Sequence, residues 1–206
     1  NWHCDKHKIQ KLNEYCIGFS RDGFHYSRPD HVPFMESVQE EEAWNWGNMQ
    51  PAIGNPCIVG DSLYFWCGGH KRNDIYWDGW TSTGLATLRR DGFVSMEDGG
   101  DGGVLVTRPV IFDGKHLFVN ASAGCLTVEV LDIDGKVLRK SSRMEDFDST
   151  RKIVRWKGHS SLSSLAGRPV RLRFTMSDGQ LYSFWVSPTD RGESSGYLAA
   201  DLAIRL

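Results

Sequence analysis

The chain has no apolar run near the roughly 20 residues that a membrane-spanning helix needs, and no cluster of Lys or Arg. The first absence excludes a membrane-spanning helix. The second counts against nucleic acid as a partner, because phosphate contacts need a basic stripe. Lys and Arg total 24 against 26 Asp and Glu, so the charge is nearly balanced. The sequence also lacks an amphipathic helix and a repeat of fixed period.

The five cysteines are too few and too scattered to define a site. They form no C-x-x-C pair, which disfavours zinc, and they allow at most two internal bridges with one thiol left over. A secreted protein could pair that thiol upstream, whereas a cytosolic one would keep all five reduced, and both readings stay open. The sequon Asn120-Ala121-Ser122 would support secretion if it is glycosylated. We predict a secreted or extracellular protein.

Eight Asp-Gly dipeptides are present, and they suit tight hairpin turns because Gly adopts positive φ without a Cβ penalty. A further turn at Gly60-Asp61 would place Cys57 opposite Tyr64, which argues against a Cys57–Cys67 bridge. The sequence therefore predicts an all-β protein. Its clearest Asp-Gly turns are at 22–23, 91–92, 113–114, 134–135 and 178–179.

The glycine-rich stretch 97–103 predicts a domain boundary after residue 96. Beyond it, short strands with turn signals between them predict an antiparallel β-sandwich over residues 97–206. The clearest alternation, over 170–176, is followed by a separate predicted strand at 181–186. Before the boundary, residues 30–56 are predicted to be irregular and residues 70–83 to be a loop.

Five segments in order resemble one known family. These proteins are related to glycoside hydrolase family 32 and consist of a five-bladed β-propeller followed by a β-sandwich. The resemblance implies that residues 1–96 are the last blades of a propeller and that carbohydrate is the ligand. The segments are GFSRDGFHY at 18–26, VGDSLYF at 59–65, GLATLRRDGF at 84–93, GRPVRLRF at 167–174 and LYSFW at 181–185.

The resemblance also implies that the catalytic carboxylates lie in earlier blades. Residues 1–5 contain neither Met nor a signal-peptide core, so we expect the chain to begin inside a longer product. Relatives have an Arg-Asp-Pro motif and a Glu-Cys motif in those blades. Here Arg21-Asp22 is followed by Gly23 and not Pro, and no Glu precedes a Cys, so no catalytic role transfers. A partial propeller has open strand edges. We therefore expect another chain, or the N-terminal part of the same precursor, to complete it.

Only weak catalytic candidates remain in this chain. Asp22 and Asp61 are better explained as turn residues, and the acidic run 40–42 as a solvated face. We retain Glu42 and Asp22 as candidates, Glu42 because it adjoins a tryptophan pair. No metal or cofactor is expected: the spacing of His3 and His7 matches no ligand set, and 98–101 is better explained as a turn than as a calcium site.

The segment 44–50 has the composition of a glycan site, because indole packs on the C–H faces of sugars and amides bind their hydroxyls. Whether Trp44 and Trp46 bind or pack stays open. Two functions are considered: a glycoside-hydrolase-like protein acting on or binding glycans, and a non-catalytic lectin-like or structural relative. Relatives often carry Asp where this chain has Asn45, which favours the second. The predicted glycan-binding residues are Trp44, Asn45, Trp46, Asn48 and Gln50.

Overall fold

The computed structural model describes residues 13–20, 22–38, 40, 43–51, 55–71 and 80–194. These residues form an all-β protein with antiparallel sheets, and their one helical element is a 3₁₀ turn at Ser163–Leu165. The chain divides into two compact units, residues 1–88 and 89–206. In the described ranges, no helix has the length and apolar character to cross a membrane.

The first unit contains two antiparallel sheets. In the smaller one β1 pairs with β2. In the larger one β3 pairs with the C-terminal half of β5, β4 with its N-terminal half, and β6 also pairs with β5. The strands are β1 (Phe19–Ser20), β2 (Tyr26–Ser27), β3 (Asn48–Pro51), β4 (Cys57–Val59), β5 (Ser62–Lys71) and β6 (Trp80–Arg89), the last ending at the division.

The second unit is one six-stranded antiparallel sheet built on two long strands that pair along their length, β9 and β12. β10 and β11 pair with β9, whereas β7 and β8 pair with β12. The strands are β7 (Met96–Glu97), β8 (Gly103–Val106), β9 (His116–Leu131), β10 (Val137–Lys140), β11 (Met144–Ile153) and β12 (Arg171–Ser187).

The core of the second unit draws on both long strands and on the loops that cover them. Leu117, Val128 and Phe174 are almost completely buried, and Val154, Leu162 and Leu165 from outside the two strands join the same cluster. Burial of this apolar surface is the main stabilising term for such a sheet.

The core-facing positions of β9 change from odd to even at one point. In β9 the members of the apolar core cluster are the odd positions from 117 to 123 and the even positions from 126 to 130. The change lies at Gly124, opposite Asp178 and Gly179. Asp178 has a φ of 51°, which is the left-handed region. Because one residue in that region breaks the alternation of a strand, the apolar side chains on either side of it reach the same core.

Three predicted hairpin turns are confirmed. Residues 22–23 lie between β1 and β2, 60–61 between β4 and β5, and 134–135 between β9 and β10. The register also places Cys57 opposite Tyr64, as predicted. In each case the turn residues alone define a local pairing, because only two to five residues separate the strands.

Two predicted turns are wrong, whereas the turn at 91–92 is present, because Gly92 N donates to the Arg89 oxygen at 3.0 Å and Asp91 has a φ of 53°. Residues 178–179 lie inside β12, so the separate strands predicted at 170–176 and 181–186 are one. Residues 113–114 belong to a loop before β9. The turn at 91–92 does not form a hairpin, because the strand after it, β7, pairs with β12. The predicted irregular stretch 30–56 contains β3, and the predicted loop 70–83 contains the start of β6.

The predicted boundary after residue 96 falls inside β7, both residues of which pair with β12.

Candidate functional site

The indole of Trp44 lies against two glycines of neighbouring strands. A Cβ built on Gly69 of β5 would lie 2.4 Å from Trp44 Cε3, and one built on Gly84 of β6 would lie 2.3 Å from Trp44 Cη2. Any larger residue at either position would displace the ring. Trp44 nevertheless remains 43% exposed. The result is an aromatic surface supported from beneath by backbone and open to solvent.

The side chain of Asn45 turns inward. It is 7% exposed, and its Nδ2 donates to the Glu36 carbonyl oxygen and to Met49 Sδ, both at 3.5 Å. Met49 is itself buried in β3. Asn45 therefore stabilises the turn that carries Trp44.

Asn48 is also buried, and its Oδ1 accepts a hydrogen bond from Asn13 Nδ2 at 3.2 Å. Backbone bonds reinforce this contact, because Asn13 N donates to the Gly47 oxygen at 3.0 Å and Met49 N to the Asn13 oxygen at 3.1 Å. Asn48 thus connects residue 13 to the edge of β3.

The register divides the predicted glycan-binding set between two faces of the sheet. Met49 pairs with Gly69, and Gln50 pairs with Gly68. Directly paired residues share a face and neighbours in a strand alternate, so Gln50 lies on the face opposite Gly69 and Trp44. Asn48 shares the face of Gln50. Trp46 is half-buried and forms a parallel bridge with Val38.

Asp22 is a turn residue by geometry. Its Oδ1 accepts from the backbone nitrogens of His25 at 2.7 Å and Phe24 at 2.8 Å, and its Oδ2 lies 2.5 Å from His25 Nδ1. The His25 backbone and ring bonds, followed by that of Phe24, hold the pKa of Asp22 well below its usual range. Asp22 is therefore an anion at neutral pH and not a proton donor.

Of the other acidic candidates, the structure describes an exposed glutamate and an aspartate in a turn. Glu42 lies outside the described residues. Glu40 is exposed, and its backbone oxygen accepts from Ala43 N at 2.9 Å. Asp61 lies in the turn between β4 and β5, as the turn interpretation predicts.

Tyr15 and Cys67 interact electrostatically inside the first unit, which no sequence pattern indicates. The Tyr15 hydroxyl is buried and has no hydrogen-bond partner among the described residues. Burial, with a smaller effect of Cys67, raises the pKa of Tyr15 to about 12. Burial also raises the pKa of the Cys67 thiol, against a hydrogen bond from the Gly84 backbone. Both groups are therefore neutral near pH 7.

The second unit contains an acidic cavity of about 400 Å³ beside the glycine-rich stretch. Its lining includes Glu97, Asp98, Asp178 and Ser122. Asp98 Oδ1 accepts from Gly100 N at 3.0 Å, which is a turn contact. In the part of the chain that the structure describes, no three His, Cys, Asp or Glu side chains are grouped to hold a metal ion.

Compared with protein-family models, curated proteins and solved structures, the chain matches none. The functional interpretation therefore depends on the five quoted segments and on the surface at Trp44. Of the predicted glycan-binding residues, Trp44 and Gln50 are exposed, and they lie on opposite faces of the sheet.

Proposed function

We propose that this chain binds carbohydrate as part of a glycoside-hydrolase-like protein, with Trp44 as the residue on which a sugar ring stacks. The observation that supports this most is the indole seated on Gly69 and Gly84 with 43% of Trp44 exposed. A sugar presents a flat face of C–H groups, and an exposed indole is the side chain best suited to cover it.

The glycine support matters for affinity. A free tryptophan on a loop loses rotamer freedom when a ligand packs on it, which opposes binding. Trp44 is already held between the backbones of β5 and β6, and Asn45 stabilises its turn from the inner side. A ligand therefore meets a preformed surface.

We further propose that the first unit is the last part of a five-bladed propeller and that the second is its appended sandwich, in an extracellular protein. The pairing of β3, β4 and β6 with the long strand β5 is compatible with a propeller blade. In this arrangement another chain, or an N-terminal part of the same precursor, would complete the propeller and supply the catalytic carboxylates. The turn geometry of Asp22 supports a source of the carboxylates outside this chain.

A non-catalytic, lectin-like role is the second candidate, and the environment of Asn45 favours it. Relatives of the resembled family often have an acid at this position, but here an amide is buried and donates to a backbone oxygen and a thioether. An amide cannot transfer a proton in this way. The two functions share the surface at Trp44 and differ in turnover alone.

The test is an oligosaccharide array probed with the full chain, followed by titration of any retained sugar. Trp44→Ala should weaken binding roughly fivefold, since a stacked ring is worth on the order of 1 kcal/mol. Trp66→Ala is the matched control, because Trp66 is 51% exposed and lies on the opposite face of β5. Equal affinity of the two variants, or no retained sugar, would contradict the proposal. Release of a shorter sugar would identify an enzyme.

A further inference from the structure

Asn120, the acceptor residue of the sequon, is enclosed within the second unit. It lies in β9 and is 1% exposed. Its Nδ2 donates to the Arg90 backbone oxygen at 2.6 Å, and its Oδ1 accepts from Arg89 Nε at 2.6 Å. Both ends of the amide are therefore engaged, and the nitrogen that would carry a glycan has no open side.

The surroundings of this amide are fixed by further contacts of Arg89. One guanidinium nitrogen is 2.5 Å from Asp148 Oδ1, another donates to the Ala121 oxygen at 3.4 Å, and the guanidinium carbon lies 4.8 Å from the centre of the Tyr182 ring. Ala121, the middle residue of the sequon, is fully buried. A sugar on Asn120 could enter only if this network and the pairing of β9 were broken.

We infer that Asn120 is a conformation-gated glycosylation site, an acceptor in the unfolded chain and closed in the folded one. The co-reactant is a lipid-linked oligosaccharide diphosphate. In the transfer, Asn120 Nδ2 forms a bond to the anomeric carbon, the bond from that carbon to the diphosphate oxygen breaks, and Nδ2 loses one proton. The products are a substituted amide and the free lipid diphosphate.

Modification and native folding of the second unit therefore exclude one another. A substituted Nδ2 keeps one hydrogen, but its sugar needs the volume that Arg90 and the neighbouring strands occupy in the native state. Displacing a buried amide that is hydrogen-bonded at both ends leaves its partners buried and unpaired, so the native network cannot form. A glycan at Asn120 marks chains in which this unit has not folded, so the sequon is no support for secretion of the native protein.

The experiment compares the unfolded and the refolded chain as substrates of the same enzyme. In one arm the urea-unfolded full chain is diluted directly into purified oligosaccharyltransferase with its lipid-linked donor. In the other arm the chain is refolded before the enzyme is added. Occupancy of Asn120, measured by mass spectrometry, should be at least about tenfold higher in the first arm, because a folded domain exposes only a minute unfolded fraction.

The modified chain is then isolated, and its unfolding in urea is followed by circular dichroism. We expect loss of the cooperative transition of the second unit. Ser122→Ala is the matched control: it removes the acceptor sequence, keeps Asn120, and should remain unmodified in both arms with a native transition. Equal occupancy in both arms, no occupancy in either arm, or a native transition in the modified chain would each overturn the inference.

Discussion

Gly179 of β12 and Ala123 of β9 face each other so closely that a Cβ added to Gly179 would lie 2.7 Å from Ala123 Cβ. The same added atom would lie 2.5 Å from the Ser122 backbone oxygen. This contact lies where the core-facing positions of β9 change from odd to even. Glycine is therefore required here by a tertiary contact and not by a turn.

Gly179→Ala should lower the free energy of unfolding of the second unit by about 3 kcal/mol, because backbone atoms must move to admit the methyl group. Gly135→Ala is the control: Gly135 has a φ of 89° and nothing within 4 Å of an added Cβ. It should cost about 1 kcal/mol from backbone strain alone. Urea unfolding of both variants measures the difference, and equal losses would contradict the role assigned to Gly179.

Glu129→Gln should destabilise the second unit by about 1–2 kcal/mol at neutral pH, because Arg173 and Lys140 lose their partner. Arg173 Nε donates to Glu129 Oε2 at 2.7 Å, and Lys140 Nζ lies 3.3 Å from Oε1. Burial alone would raise the pKa of Glu129, but the hydrogen bonds and charges of Arg173 and Lys140 together hold it below its usual value.

The sign of the pH dependence follows from this depressed pKa. The stabilisation by Glu129 is complete above its unfolded pKa of about 4.3 and is lost as the pH falls through the lower pKa of the folded state. Unfolding free energies measured from pH 6 downwards should therefore fall less steeply in Glu129→Gln than in the wild type. Parallel curves would show that this carboxylate does not contribute.

Tyr15→Phe should leave the first unit as stable or raise its free energy of unfolding by up to about 1 kcal/mol, since the hydroxyl is buried without a partner in the described residues. Burial raises the pKa of Tyr15 to about 12, whereas the unfolded value is near 10. The part of the folding free energy that depends on this proton is therefore fully present below pH 10 and is lost as the pH rises towards 12. The variant should lose less stability over that alkaline range. Chemical unfolding at pH 8 and pH 11 tests both parts, and a large loss at pH 8 would contradict them.

The thiols Cys57 and Cys67 should react at very different rates with a thiol reagent. Cys57 is exposed in β4, whereas Cys67 is 2% exposed and burial raises its pKa, which lowers the thiolate fraction. Mass spectrometry after brief labelling should find Cys57 modified and Cys67 protected until the chain is unfolded. Cys57→Ser and Cys67→Ser assign the signals. A native Cys57–Cys67 bridge would contradict the register.

Local turns were predictable because their pairing is decided within a few residues. Asp134-Gly135 needs only β9 and β10 on either side of it, and Gly60-Asp61 even sets which residue lies opposite Cys57. Asp178-Gly179 has the same letters and a different role, because a strand far along the chain pairs across it. The residue types alone cannot distinguish a turn from a positive-φ residue inside a long strand.

The candidate site shows the same limit. The content of the segment 44–50 indicated a glycan surface, but side-chain direction depends on strand register, which places Trp44 and Gln50 on opposite faces. Nor could the sequence indicate that Gly69 and Gly84 support the indole. They lie 15 positions apart in neighbouring strands and meet Trp44 only after β5 and β6 have paired.

The amino-acid sequence by itself determined the all-β class, three hairpin turns and the register that pairs Cys57 with Tyr64 instead of Cys67. Alternation and turn residues act over short stretches of chain, so these features are local. Tertiary structure alone decided the partners of the long strands, the enclosure of Asn120 and the exposure of Trp44. These properties depend on contacts between distant residues, and the free energy of such contacts is not contained in any local pattern.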